Sequence, residues 1–331
     1  MNKEFKVLSL KEEQQLSKEE LREYYKEFRE YVLNRELTNT TPFATVIGPL
    51  LKKPVVKVAD KLVRFFTNKN IDWIYDGTEK IPDGAVIFAN THQGLLDNFV
   101  WMPTIDRHAV ILHSIDISKL LLLAEYTTGL VLVKKGDKVN NLNAKLDMIN
   151  LLLNGTSIIY FPESAWNLSP NKLHLPLSYG MIDISKKTKK PIVPVVHEYT
   201  YEPNEEKEVI TKIHTRYGKP IYVKEEDDLL EKLIEYEECI STLRYELIEE
   251  KGIFRRSDIT NFDYINYLKG NYKNLEFGKI NVDIERKYLF RADDDFYKFH
   301  HINDIPFDEA GNLLDTKEVI KLKSLNKKHN I

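Results

Sequence analysis

The sequence predicts an α/β fold: a mostly parallel or mixed central sheet flanked by helices, with N-terminal amphipathic helices and a C-terminal helical or irregular extension. Three observations predict it. Short apolar, β-rich runs recur at 85–89, 109–112, 130–133, 157–161 and 192–196. They lack the strict polar/apolar alternation of a half-solvated sheet, as strands covered on both faces do. Stretches with helical periodicity, 140–154 and 178–188, separate them.

The elements follow in order. Residues 18–36 place Leu21, Tyr24, Phe28, Tyr31 and Val32 at helical spacing with acids between them, and 38–41 with Pro42 end that helix. Residues 43–67 form a second helical stretch, interrupted at Pro54. Between 43 and 70 lie six basic residues and one acid, in a chain whose net charge is −3. Apolar residues interleaved with Lys and Arg suit an interfacial helix, because anionic headgroups attract the charges while the apolar side enters the acyl boundary. An ordinary helix with a solvated basic face carries the same pattern. Residues 225–250 put Leu229, Leu230, Leu233, Ile234, Ile240, Leu243 and Leu247 on one face and hold eleven acids and two basic residues, an amphipathic acidic helix. The remainder, 251–331, is rich in aromatics, Asn and Asp without a clear period. The expected organisation is a membrane-surface element of N-terminal helices over 1–70, an α/β core over 71–224, and the acidic helix with its extension over 225–331.

Composition limits the function classes. Hydrophobic residues make up 42 %, enough for a core. The slight net acidity excludes a global electrostatic footprint for nucleic acid, so no nucleic-acid partner is expected. The one cysteine, Cys239, excludes an intrachain disulfide framework and fits a reducing compartment. The opening residues carry no apolar signal region, and no run reaches 18 consecutive apolar residues. The expected location is therefore cytoplasmic, peripheral on the inner face of the membrane.

The residues that carry chemistry cluster after the predicted strands. Asn90-Thr91-His92-Gln93-Gly94-Leu95-Leu96-Asp97 follows the first run. A carboxylate that accepts the proton of one imidazole nitrogen fixes the tautomer and raises the basicity of the other, which then takes a proton from a hydroxyl. A capping Asp beside a surface His gives the same spacing. Phe161-Pro162-Glu163 puts a second carboxylate after another strand, 129–135 ends a third in Lys134 and Lys135, and Val193-Pro194-Val195 is a fourth. Open α/β sheets bind ligands at the carboxyl ends of their strands, so these groups can converge on one sheet edge. Neighbours such as His300 and His301 point apart, and no metal site is expected.

These four blocks, in this order over residues 80–200, resemble the glycerolipid acyltransferase superfamily, the group containing the 1-acylglycerol-3-phosphate acyltransferases. His92 and Asp97 match its His-x4-Asp block, 129–135 its Gly-strand-basic block, Phe161-Pro162-Glu163 the start of its Phe-Pro-Glu-Gly block, and Val193-Pro194-Val195 its Val-Pro strand. The resemblance implies His92 as general base, oriented by Asp97, with Glu163 and Lys135 binding the acceptor and Gly94, Ser164 and Trp166 in the same substrate site. It implies acyl-CoA or acyl-carrier protein as co-substrate, a lysophospholipid or related lipid or glycolipid acceptor, an anionic membrane surface as partner, and no further cofactor or metal. The chain departs from the pattern in its first block, with Gly94 for Ser, and in its second, with Lys135 for Arg. In the third, Ser164-Ala165-Trp166-Asn167 stands for Gly-Thr-Arg-Ser. Lys lacks the bidentate fork of Arg, and an indole stacks rather than holding phosphate. An altered acceptor follows from these departures. A non-catalytic lipid- or thioester-binding protein on the same scaffold, and a thioester hydrolase, are the alternatives; no Gly-x-Ser-x-Gly nucleophile elbow is present.

Overall fold

The computed structural model describes residues 5–41, 54, 57, 61, 71–93, 96–97, 105–115, 129–134, 136–164, 167, 173–175, 177–204 and 207–251. The basic stretch 43–70, apart from Pro54, Lys57 and Lys61, and the tail beyond Lys251 lie outside the described residues. Along the described chain run α1 (Leu10–Glu13), α2 (Lys18–Leu33), β1 (Asp72–Asp76), a 3-10 turn (Thr78–Lys80), β2 (Ile87–Asn90), β3 (Ala109–Ser114) and β4 (Leu130–Val133). There follow α3 (Lys138–Leu153), β5 (Ser157–Tyr160), α4 (Gly180–Thr188), β6 (Ile192–Asn204), β7 (Lys207–Tyr217) and α5 (Leu229–Lys251).

The strands form one seven-stranded sheet in the order β1-β7-β6-β2-β5-β3-β4. Strands β6, β2, β5, β3 and β4 are mutually parallel, β7 pairs antiparallel with β6, and β1 runs parallel to β7. The fold is therefore mixed α/β, as the buried apolar runs predict. The parallel strands β2, β3 and β5 are covered on both faces, with Val86, Phe88, Ile111 and Ile159 in one apolar layer and Ile87, Ala89, Val110 and Ile158 in the other. Strands β1 and β7 are absent from the sequence reading. Lys207–Tyr217 mixes charged and polar residues among its apolar ones, and β1 is three apolar residues between aspartates, so neither makes a continuous apolar run. For the same reason the sequence shows only the first five residues of β6, whose outer half belongs to the β6–β7 hairpin.

The helices start where the sequence offers caps. Ser9 with Glu12 and Ser17 with Glu20 form capping boxes at α1 and α2, and Asp137 accepts the Val139 and Asn140 N–H groups at α3. Helix α2 buries Tyr25, Phe28 and Val32 on the core. The chain after it lies along the β4 edge, where Thr40 bridges Val131, and the buried Asp147 accepts from Thr38 N, Asn39 N, Thr40 Oγ1 and Arg35 Nη1. Glu13, Lys187, Asp183 and Lys145 form a buried ion network between α1, α4 and α3, with Lys187 Nζ 2.8 Å from Glu13 and 2.6 Å from Asp183. Each charge in it has an opposite partner, the condition under which burial is tolerated. Helix α5 packs along β6 and β7.

Candidate active site

Parallel pairing brings the strand ends of the sequence blocks together. β2 pairs β5 on one side and β6 on the other, with Ala89 opposite Tyr160 and Asn90 opposite Val195. The segments that follow β2 and β5, and the continuation of β6, therefore emerge side by side at one edge. β4 lies three strands from β2, about 14 Å across the sheet at 4.7–4.9 Å per strand. Lys134, at its end, is exposed. Three of the four blocks meet directly. Gly94, Lys135 and Trp166 lie outside the described residues.

His92 and Asp97 form a dyad. His92 Nδ1 stands 2.9 Å from Asp97 Oδ2, and the same oxygen accepts the Gln93 N–H at 2.5 Å. Tyr199 OH donates to the other oxygen, Oδ1. The Asp97 carboxylate is 1 % exposed and satisfied by three donors. Burial pushes its pKa up, but the hydrogen bond and charge of His92, with His197 and Tyr199, carry the balance below the ordinary value. An anionic partner at Nδ1 requires the proton there, which leaves the lone pair of neutral His92 on Nε2. The imidazole stacks on Phe161, centroids 4.1 Å apart and planes at 25°, which fixes the ring plane.

The backbone of His92 is held as firmly as its ring. Its N–H donates to Glu163 Oε1 at 2.7 Å, and its carbonyl accepts the Asn167 N–H at 2.5 Å. Glu163 Oε2 accepts the Leu175 N–H at 2.7 Å. Glu163 is thus buried with both oxygens on backbone amides, and as placed it ties the loop after β5 and residues 173–175 to the backbone of His92. Burial pushes its pKa up to about 8, with Asp97 adding to the rise, against the Leu175 and His92 amides and the cation of Arg244.

Two elements complete the surroundings. On β6, His197 is fully buried, its N–H on Thr91 Oγ1 and its Nδ1 3.0 Å from Thr215 Oγ1; burial lowers its pKa to about 4, so it is neutral at pH 7. Gln93 Nε2 donates to the His197 carbonyl, binding the dyad loop to β6. From α5, the fully buried Arg244 places Nε 3.0 Å from Glu198 and Nη1 on the Leu173 carbonyl, clipping β6 to the segment that holds Glu163. Tyr236 OH donates to Ala89 O at the end of β2. Sequence reading misses Gln93, Tyr199 and Arg244. For Tyr199 the signal is present, since His197 and Tyr199 share one strand face directly after the Val-Pro block; nothing in an acidic helix marks Arg244 as a site neighbour.

Ser164, where the family block has Gly, sits at φ +57°. Left-handed backbone costs an L-residue about 1–2 kcal/mol, part of which glycine returns through its greater unfolded-state freedom. Ser164→Gly is expected to raise stability by about 0.5–1 kcal/mol, read as a higher denaturant midpoint; an unchanged or lower midpoint contradicts the strain.

Among the described residues no cluster of three or more His, Cys, Asp or Glu has the geometry to hold a metal ion, and no helix is long and apolar enough to cross a membrane. No curated protein matches the chain. Among solved structures it resembles the crystal structure of the 1-acyl-sn-glycerophosphate (LPA) acyltransferase PlsC from Thermotoga maritima, at 23 % identity and a TM-score of 0.47, over 68 % of this chain and 88 % of that one. Residues 73–198 match the family model described as Acyltransferase, a span that runs from β1 through the His92–Asp97 dyad and Glu163 to Glu198 on β6. The segment 73–198 is thus similar to the Acyltransferase family, and that match supports an acyltransferase activity.

Proposed function

We propose that the enzyme moves a fatty acyl group from an acyl thioester, acyl-CoA or acyl-carrier protein, to a hydroxyl of a lysophospholipid or related glycerolipid or glycolipid at the cytoplasmic face of a membrane. The observation that carries this reading is the His92–Asp97 dyad after β2, Nδ1 to Oδ2 at 2.9 Å, from which a carboxylate partner puts the proton on Nδ1 and leaves a lone pair on Nε2. Nε2 takes the proton of the acceptor hydroxyl as its oxygen attacks the thioester carbonyl. Asp97 stabilises the imidazolium that forms. The tetrahedral intermediate collapses with loss of the thiolate, which receives the proton from His92, giving an ester and a free thiol. Direct transfer needs no covalent enzyme intermediate and no cofactor beyond the acyl donor.

The acceptor differs from lysophosphatidate in this reading. The departure of the third block places Trp166 where the family carries an Arg suited to phosphate, and Lys135 supplies a point charge without a fork. Lys135, Gly94, Ser164 and Trp166 belong to the acceptor side of the site. Glu163 joins them by holding the base and the 173–175 segment in register. The test is transfer from labelled acyl-CoA and acyl-carrier protein to a panel of lysophosphatidate, glycerol 3-phosphate, lysophospholipids and glycolipids. A neutral, glycosylated or diester-headgroup acceptor is expected to be used best, with His92→Ala and Asp97→Ala reducing transfer about 10²–10⁴-fold in folded protein. Normal turnover by His92→Ala refutes the mechanism, and lysophosphatidate as the best acceptor refutes the altered specificity.

The basic, apolar stretch 43–70 supplies the membrane contact. Binding to vesicles containing anionic lipid is expected to weaken as salt rises and to be lost in a Lys52→Glu, Lys53→Glu, Lys57→Glu variant. Equal partitioning of the variant and the wild type contradicts this assignment.

A further inference from the structure

We propose that Tyr199 is a positioning residue for acyl transfer, holding Oδ1 of Asp97 through its hydroxyl so that Oδ2 stays on Nδ1 of His92. The proposal rests on the reading of His92 as the general base. β6 lies beside β2, with Asn90 opposite Val195, so its continuation runs along the segment that carries the dyad. Strand alternation places His197 and Tyr199 on one face. The Tyr199 ring is 3 % exposed and clustered with Ile71 and Ile213, with Trp73, Tyr75 and Leu96 packed against them. That apolar clamp fixes the ring, and its hydroxyl reaches the carboxylate.

Among the described residues, donors on both oxygens hold the orientation of Asp97. Oδ2 takes His92 Nδ1 and Gln93 N, and Oδ1 takes Tyr199. The carboxylate cannot turn about its Cβ–Cγ bond without breaking a bond on each side. Loss of the phenol leaves Oδ1 buried with a donor missing, and the geometry offered to the imidazole is no longer unique. Among the described residues, the ionisable groups acting on Asp97 include His92 from the segment after β2, His197 from β6 and Glu163 from the segment after β5, with Arg244 of α5 acting on Glu163 and His197. Tyr199 thus gives Asp97 a neutral side-chain donor beside the backbone N–H of Gln93. Removing it withdraws stabilisation from the anion alone, so the dyad takes up its proton at a higher pH.

Tyr199→Phe keeps the ring packing and deletes only the O–H. The expected result is a folded variant with unchanged KM for donor and acceptor, kcat reduced roughly ten- to a hundredfold, the scale of a lost hydrogen bond to a charged group, and the acid limb of kcat/KM moved to higher pH. Site-specific 3-fluorotyrosine at 199, a stronger donor of the same shape, moves that limb to lower pH and serves if the Phe variant does not fold. His92→Ala is measured alongside. Turnover in His92→Ala overturns the general-base reading itself. Inactive His92→Ala combined with wild-type kcat and an unmoved acid limb in both Tyr199 variants shows that the side chain only packs, and overturns the inference.

Discussion

The site depends on one hydrogen bond between two loops, from the backbone N–H of His92 to the Glu163 carboxylate. Side chains that follow adjacent parallel strands begin near each other, but strand pairing ends at Ala89 and Tyr160. Beyond those residues β2 keeps only its pairing with β6, through Asn90 and Thr91, and among the described residues nothing in the sheet ties it to the segment after β5. Glu163 supplies the missing constraint by bonding His92 with one oxygen and Leu175 with the other. The Asn167 amide on the His92 carbonyl adds a second tie. The His92 ring then needs only the stacked Phe161 and Asp97 at Nδ1 to be oriented. An imidazole held from its backbone outwards has the fixed geometry that the proposed proton transfer requires before any particular pKa.

Burial sets the electrostatics around this anchor. It opposes charge on Glu163, which needs the amides and Arg244 to offset it, and it keeps His197 neutral. Asp97 is the exception, because its donors outweigh the same burial. One carboxylate is thus held as an anion beside His92 while the second is drawn toward its neutral form. Arg244 reaches this arrangement from α5, beyond the segment matched by the family model. The acidic helix is therefore packed into the support of the site through a fully buried cation, Tyr236 and Glu198.

Much of the fold is legible in the sequence where burial is two-sided. The runs at 85–89, 109–112, 130–133 and 157–161 are strands because both faces meet apolar layers, and α2 to α5 fall within a few residues of their periodic stretches. The hairpin of β6 and β7 is hidden because one face of it carries Lys, Glu and Arg, so no apolar run marks it. In the site, His-x4-Asp and Phe-Pro-Glu are readable because chemistry fixes their residue types over short spacings. Tyr199 and Arg244 act from 102 and 46 residues away, on Asp97 and Glu198 respectively, and only the register of β6 with β2 and the packing of α5 bring them close. The Glu163 carboxylate illustrates the opposite case: its position at a strand end is readable, while its engagement with two backbone amides is a property of the folded loops.

The central claim is that Asp97 holds the proton of neutral His92 on Nδ1 and leaves the lone pair on Nε2. Nitrogen-15 NMR of histidine-labelled enzyme, with resonances assigned through His92→Gln and followed through neutral pH, reads this tautomer directly. The account predicts that the neutral His92 ring is protonated at Nδ1, with a far-downfield hydrogen-bonded ring N–H that disappears in Asp97→Asn. A neutral His92 ring protonated at Nε2, with unprotonated Nδ1, contradicts it.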